Sequence, residues 1–400
     1  YENCENHDLK YTLKKYRDDF NENLTENYEI LDTIGSGSIG QVYLLKDKPL
    51  TRFSDPNKYV MKILHPDVHN DIYYFRIYFN LIRHISFIKN ILNSKFPFDI
   101  NSFIDTFEEQ SNFINESNNL LKFQEYYRDN DYIIIPRLIR CSNNIMIMSY
   151  EEGISYEDLT CDSYKKYKVA LLLTTFIRNN QQICNFNHGD LHKGNWKVKL
   201  LDNKPRLIIY DFGFCWKVPK DKVDSIDNCV DVFENSDEND DIFDYDNMTS
   251  VLLHLLKYDI KDKEKCRDVI YNYLKNNTNV IKPWALNPSR IFKLAVDLCI
   301  ICNLKIDPLL IQAIIIIIQS QKIFQEFRFI TDDKGKSITP KEVYREKYMD
   351  WCSFYNTYNI FNDFSKLIKN KLNNIQIDVR NIFDCDNDFD KFKTLALKYK

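Results

Sequence analysis

"HGDLHKGNW", His188 to Trp196, is the stretch on which the reading of this chain turns. Nine residues hold two histidines, an aspartate, a lysine and an asparagine, and another aspartate, Asp211, follows in "IIYDFGF". Three readings compete: a histidine metal cage, a site of phosphate transfer, or a polar turn without chemistry. His188 and His192 stand four apart, which suits one face of a helix. Gly189, Asp190 and Gly194 disfavour a helix there. No cysteine or third histidine lies close by to complete a zinc site. Phosphate transfer uses more of the residues. It needs a carboxylate to take the proton of the attacking group, and an amide oxygen with a second carboxylate to hold Mg2+ against phosphates. Asp190 and Asn195, separated by four residues, supply the carboxylate and the amide, and Asp211 supplies the second carboxylate.

The other parts of such a site are expected upstream. "IGSGSIGQV", Ile34 to Val42 (Ile34, Gly35, Ser36, Gly37, Ser38, Ile39, Gly40, Gln41 and Val42), places a Gly-rich turn between two alternating strands. Its backbone is shaped to cover phosphates. "YVMK" then puts Lys62 at the end of a strand, where it would meet the α- and β-phosphates of ATP. "IMIMSYEEG" reads as a strand running into a connector, so the backbone of Met148, Ser149 and Tyr150 would meet adenine. Each piece alone is weak; the four in this order point to an ATP- and Mg2+-dependent phosphotransferase.

Glycine usage sharpens the point. There are only eight glycines, and six fall at 35, 37, 40, 189, 194 and 213, where backbone shape matters. With 44% hydrophobic and 28% charged residues the chain reads as a globular protein able to bury a sizeable core. The net charge of −4 does not suit a general nucleic-acid binder, and no nucleic-acid partner is expected. Eleven dispersed cysteines read as reduced thiols of an intracellular compartment. Cys299 and Cys302, the one close pair, read as core residues of a helix. The longest apolar run, "PLLIQAIIIIIQS", is too short to span a membrane and reads as a buried helix. The polar start resembles neither a secretory signal nor a transit peptide, and it lacks Met, so a longer native N-terminus is consistent with it. The richness in Asn, Ile, Lys and Tyr suits an AT-rich genome, in keeping with a microbial or large-virus source and a host-cell cytoplasm or virion.

The pattern predicts an α+β, bilobal kinase-like fold. Residues 1–27 form a polar lead-in with a helical stretch. Residues 28–150 form a small β-rich lobe with inserted helices, and residues 151–400 a mostly helical lobe. Strands are expected in "YEILDTIGSGSIGQVYLLKD", "KYVMKIL", "WKVKLLDNKPRLIIYDFG" and, as two strands joined at "CSNN", in "YIIIPRLIRCSNNIMIMSY". Residues 51–58, "TRFSDPNK", read as a loop. Helices are expected from Asp71 to about Asn93, from Ser102 to Tyr127, and over "YKKYKVALLLTTFIRNNQQICNF". The acidic stretch 221–246 reads as a solvated loop.

"GSIGQVY" followed by "VMKILHPDVHNDI" resembles the UbiB/ADCK (AarF-domain) atypical kinases, which carry "ASIGQVH"-like and "VAVKVQHPGV"-like segments. "HGDLHKGN" is similar to that family's "HADPHPGN", with Lys193 in place of Pro; it is also similar to choline and aminoglycoside kinases. Inserted helices of the family end in an "ELDFxxEAxN"-like segment, matched here by "QSNFINESNN". The resemblance implies that Glu116 pairs with Lys62, and it places Asn119 on the final Asn. It implies ATP and Mg2+ as ligands, Asp190, Lys62 and Glu116 as catalytic groups, and Asn195 and Asp211 as metal ligands. His188 is expected to brace the loop; His192 is either structural or in contact with phosphate. The family's link to quinone and lipid metabolism implies a peripheral membrane association and a lipid-linked or small-molecule acceptor. The departures are Gln110 and Asn112 in place of an acidic "ExD" pair, a glycine-containing loop where the family is Ala-rich, and the lack of a "KxGQ" segment. They point to a more open nucleotide site. A small-molecule kinase with the acidic loop attracting a cationic substrate, and a nucleotide-binding scaffold without activity, are the alternatives. The lack of an "APE" element argues against protein substrates.

Overall fold

The computed structural model describes residues 5–48, 57–82, 100–128, 130, 132–159, 166, 169–170, 172–173, 176–177, 180, 184–202, 204–217, 245–257, 263–277, 288–302, 305–306, 330–331 and 337–338. Residues 51–56 of the expected loop, the expected helix beyond Ile82, residues 221–244 of the acidic stretch and the apolar run Pro308–Ser320 lie outside them. The chain divides into two compact units: Tyr1–Tyr74, Asp105–Cys215 and Phe324–Lys400 in one, Phe75–Ile104 and Trp216–Ile323 in the other.

The first unit is built on an antiparallel sheet. Its strands are β1 (Tyr28–Ser36), β2 (Gly40–Asp47), β3 (Lys58–Leu64), β5 (Leu138–Cys141) and β6 (Ile145–Ser149), in the order β1-β2-β3-β6-β5. Side chains alternate between its two faces. Tyr43, Leu45, Met61, Ile63, Ile145 and Ile147 face one way, where they meet Tyr16 of helix α1 (Leu9–Phe20) and Leu24 of the short helix α2 (Leu24–Asn27). Val60, Leu64, Met146 and Met148 face the other way, against Phe113. Lys62 keeps step with Val60 and Leu64, so strand parity delivers a lysine to this second face.

Two helices lie where one was expected over 102–127. They are α4 (Ile100–Gln110) and α5 (Phe113–Tyr126), and α3 (Val68–Ile82) precedes them. The break has a local cause. Asn112 takes extended backbone angles and its side chain accepts the backbone N–H of Ile114, a helix N-cap. The amide that replaces one acid of the family's pair thus starts a helix. Along α5 the buried residues Phe113, Glu116, Ser117, Leu120 and Phe123 form a single stripe. Phe123 packs against the rings of Phe176, Phe186, His188 and Phe212.

The stretch before "CSNN" also divides. Pro136 has no N–H to give a ladder, and the chain splits there. Ile133–Ile134 (β4) pairs in parallel with β8 (Lys204–Ile209), and only Leu138–Cys141 stays in the large sheet. β8 also pairs antiparallel with β7 (Trp196–Leu201) through a turn at Asp202, whose φ is 51°. Trp196 pairs with Ile209, so the hairpin brings the opening motif and Asp211 together at its open end, away from the turn. The described positions between 166 and 180 include helical Lys166, Val169, Ala170 and Phe176, as expected there.

In the second unit α6 (Tyr245–Leu255), α7 (Lys263–Asn276) and α8 (Pro288–Cys302) bury Met248, Leu252, Ile270, Leu274, Leu294 and Leu298. Arg267 of α7 ties to Asp246 of α6 at 2.7 Å. Cys299 and Cys302 are free thiols on α8, and Cys299 is buried in this helical core. No described helix is long and apolar enough to cross a membrane.

Candidate active site

Lys62 leaves β3 opposite Val42 and Met146 and reaches the first turns of α5. Its Nζ donates to Oε1 of Glu116 at 2.5 Å and lies 3.2 Å from Oδ1 of Asp211. A glutamate on an apolar helical stripe is costly without a partner; here the partner is Lys62. Burial opposes the Lys62 ammonium, but the carboxylates of Asp211 and Glu116 outweigh it and keep the group protonated. Burial pushes the Glu116 carboxyl up to about 7 against the pull of Lys62. Asp211 feels burial too, but the Lys62 ammonium and the Gly213 N–H hold its carboxyl below the ordinary value. One face of Asp211 stays open, with 44% of its side chain exposed.

The turn carrying Asp211 is fixed from three sides. Asp211 itself is left-handed, with φ of 56°, a conformation Asp tolerates better than most residues. Its Oδ1 accepts the Gly213 N–H at 3.2 Å. Asn119, one turn beyond Glu116 on α5, donates from Nδ2 to the carbonyl oxygen of Phe212 at 2.9 Å. A single helix face therefore sets both the Lys62 partner and the Asp211 turn.

His188 braces the opening motif. It is buried, its Nδ1 accepts the Asp190 N–H at 3.2 Å, and its Nε2 donates to the Tyr210 carbonyl at 2.9 Å. Burial lowers its pKa to about 4, so it is neutral and its tautomer is set by these two bonds. Gly189 lets this segment press against Phe214, where a Cβ would come within 2.4 Å of the ring. Asn195 donates from Nδ2 to the Asp190 carbonyl at 2.8 Å, which leaves its side-chain oxygen for another ligand. Asp190 is half exposed, and burial together with nearby Asp211 raises its carboxyl pKa although His192 pulls the other way. His192 accepts the Gly194 N–H at Nδ1 and holds Nε2 3.6 Å from Asp190.

The Gly-rich segment forms the end of β1, a turn and the start of β2. Gly37 N–H donates to the Gly40 carbonyl at 3.0 Å, and Ser36 pairs with Gln41. Ile34 and Gly35 lie at a register shift in β1, and Ile34 is exposed. Ser38 and Ile39 lie in the turn. Val42 and Met148 join the apolar cluster on the Lys62 face. Gln41 is buried and points the other way, toward Tyr43. In the connector, Ser149 N–H donates to Arg137 and Tyr150 N–H to Lys58. The next backbone N–H, that of Glu151, has no acceptor among the described residues; the residue pattern alone gave no sign of it. His7 and His65, which contact the Gly-rich loop, were equally invisible as a pair.

Oxygen donors suit Mg2+. Asp211, held ionised and with one face open, and the side-chain oxygen of Asn195 are the oxygen donors of this site that could hold such an ion. Among the described residues no three His, Cys, Asp or Glu side chains converge as a metal cage requires.

The family model of the ABC1 atypical kinase-like domain matches residues 2–242. Among curated proteins the chain is 25% identical over 199 residues to the chloroplastic protein ACTIVITY OF BC1 COMPLEX KINASE 3 of Arabidopsis thaliana, covering 48% of this chain and 26% of that protein. It is 28% identical over 208 residues to an uncharacterized protein in the hydrogenase 1 5′ region of Clostridium pasteurianum, covering 49% of this chain and 36% of that one. The matched segment thus spans well under half the length of either relative. Among solved structures it is similar to Rv3197 of Mycobacterium tuberculosis, in its complex with erythromycin, at 17% identity and a TM-score of 0.43 over 65% of each chain. It is also similar to the Rio2 kinase of Chaetomium thermophilum, in a complex with ADP, Mg2+ and phosphoaspartate, at 15% identity and a TM-score of 0.33 over 54% of this chain and 55% of that one.

Proposed function

The chain belongs to the ABC1 atypical kinase-like family, of UbiB/ADCK type and with a kinase-like α+β fold, and on that premise we propose that it transfers the γ-phosphoryl group of ATP to a small-molecule or lipid-linked hydroxyl acceptor. The observation that carries this reading is the convergence of Lys62, Glu116 and Asp211, with Lys62 bonded to both carboxylates.

Lys62, held by Glu116, presents its ammonium to the α- and β-phosphates. The backbone of residues 34–42 covers the phosphates. Val42 and Met148 offer an apolar surface for adenine, and the Glu151 N–H, next to Met148–Tyr150, is the donor open to the base. Asn195 and Asp211 would hold Mg2+, which when bound supplies neutralising charge across the phosphate oxygens. Asp190 orients the acceptor hydroxyl and takes its proton as the new P–O bond forms and the bond to ADP breaks. Its raised pKa favours that role at neutral pH. His188, neutral and tied at both nitrogens, keeps the Asp190 backbone in place and takes no part in proton transfer.

Domain boundaries at residues 28 and 151 go with this reading: the sheet and α5 carry Lys62 and Glu116, and the segments flanking the hairpin β7–β8 carry Asp190, Asn195 and Asp211. The test is ATP turnover by the wild type and Asp211→Asn, with and without lipid vesicles. Turnover lost in the variant supports the assignment, and stimulation by vesicles supports a lipid-linked acceptor. Equal turnover in the two proteins refutes it, and nucleotide binding without turnover in the wild type identifies a scaffold.

A further inference from the structure

The Gly-rich loop is tied to the N-terminal segment by two histidines that lie 58 residues apart. His65 follows β3 and grips the loop twice. Its backbone N–H donates to the Ile39 carbonyl at 2.9 Å, and its ring Nε2 lies 3.0 Å from the Gly37 carbonyl and 3.4 Å from the Ser36 hydroxyl. Its Nδ1 lies 2.8 Å from Nδ1 of His7.

Donor and acceptor roles follow from the partners. A carbonyl can only accept, so Nε2 of His65 carries its proton and Nδ1, in the neutral ring, accepts. Nδ1 of His7 must then donate, which leaves Nε2 of His7 to accept from the Thr12 hydroxyl at 2.9 Å. The Thr12 oxygen accepts from the Tyr43 hydroxyl at 2.9 Å, and that hydroxyl accepts from Nε2 of Gln41 at 2.8 Å. Oε1 of Gln41 accepts the backbone N–H of His7 at 2.9 Å, which closes a ring. Thr12, Gln41 and Tyr43 are buried, so these bonds have no competition from water.

This is the order that two neutral rings give. A proton on Nε2 of His7 would make that nitrogen a donor and displace the Thr12 hydroxyl hydrogen from its acceptor. Burial, and then the neighbouring His65, lower the His7 pKa to about 4. The groups around His7 are the rings of Tyr11, Tyr43 and His65 and the neighbouring carboxylate of Asp8, with Asp19 and Asp67 acting on Tyr11. Among the described residues neither imidazole has a carboxylate partner.

We infer that His7 and His65 are positioning residues: a clasp that fixes the Gly37 carbonyl, and so the loop, in the form that covers nucleotide phosphates. The inference rests on the nucleotide reading of that loop, so its test has one readout that needs no nucleotide. In the full chain, His7→Phe keeps the ring and removes its bonds. It should speed hydrogen exchange of the amides of residues 37–40 and weaken binding of a fluorescent ADP analogue with Mg2+ by about fivefold, the worth of one hydrogen bond. His65→Phe should do the same, and the two together should be no worse than either alone. His65→Gln, which keeps a donor toward Gly37, should restore most of the affinity that His65→Ala loses. Unchanged loop exchange in a folded His7→Phe protein, or additive effects of the two variants, would overturn the clasp. A wild type that binds no nucleotide while loop exchange still rises in His7→Phe would refute the nucleotide reading and the loop-covering role together, leaving only the structural tie.

Discussion

Asn119 Nδ2 donates to the carbonyl oxygen of Phe212 at 2.9 Å, joining α5 to the turn that carries Asp211. Asn119 follows Glu116 by one helical turn, so a rotation of α5 that released Lys62 would also release this carbonyl. Asn119→Ala should lower unfolding free energy by about 1 kcal/mol. It should weaken nucleotide binding by more than that bond alone accounts for, because Asp211 loses its brace. Urea unfolding and nucleotide titration on the same variant measure both; a loss of stability with unchanged affinity would mean that the bond only packs the helix.

Glu116 is held in a place that suits Lys62 better than it suits stability. Burial raises its pKa from 4.5 to about 7, so the folded state binds a proton more tightly than the unfolded one, and its contribution to stability shrinks as pH rises from 4.5 to 7. Glu116→Gln keeps the shape and an oxygen for Lys62 while it removes that cost. At pH 7.5 the variant should be as stable as the wild type or more so, yet slower in phosphate transfer by about tenfold or more. A variant that is both less stable and fully active would show that the pair serves the fold and not the chemistry.

The parts of the site that were legible in the sequence are those written locally. Period-two alternation around a glycine turn marks β1 and β2, and parity along "KYVMKIL" sends Lys62 to the face of Val60 and Leu64. The partnership of Lys62 with Glu116, 54 residues apart, came from the resemblance, because the spacing itself carries no such information. The break at Asn112 was missed because no Gly or Pro marks it; an asparagine can cap a helix or sit on its exposed face, and only packing decides. The meeting of His7 with His65 depends on where α1 lies on the sheet. That position is set by Tyr16 and Leu24 against Met61 and Ile147, contacts that no local pattern records.

His188 gives the stability a slope of opposite sign to that of Glu116. Its pKa falls from 6.5 to about 4 on folding, mainly by burial. The unfolded chain therefore binds the proton more tightly, and the contribution of His188 is complete above pH 6.5 and lost as pH falls toward 4. The full loss is on the order of 3 kcal/mol. His188→Gln should be less stable at pH 7 but should lose much less further stability between pH 7 and 4.5 than the wild type. Denaturant midpoints at several pH values decide this, and parallel slopes for the two proteins would show that His188 is not the titrating group.

Two glycines of the same loop should differ in their tolerance of alanine. At Gly40 a Cβ would come 2.5 Å from the Ile63 carbonyl oxygen and 3.2 Å from its carbon, in the ladder where Gly40 pairs with Leu64. Backbone cannot give way as a flexible side chain can, so Gly40→Ala must push β2 from β3 beside Lys62. At Gly35 the same methyl meets only Val42 Cβ at 4.0 Å, an ordinary contact. Gly40→Ala should cost about 2 kcal/mol and weaken nucleotide binding through the displaced loop. Gly35→Ala should stay within about 0.5 kcal/mol of the wild type. Thermal unfolding and nucleotide titration of the two variants form the comparison. Equal tolerance at both positions would mean that β2 and β3 are not held in this register at the root of the loop.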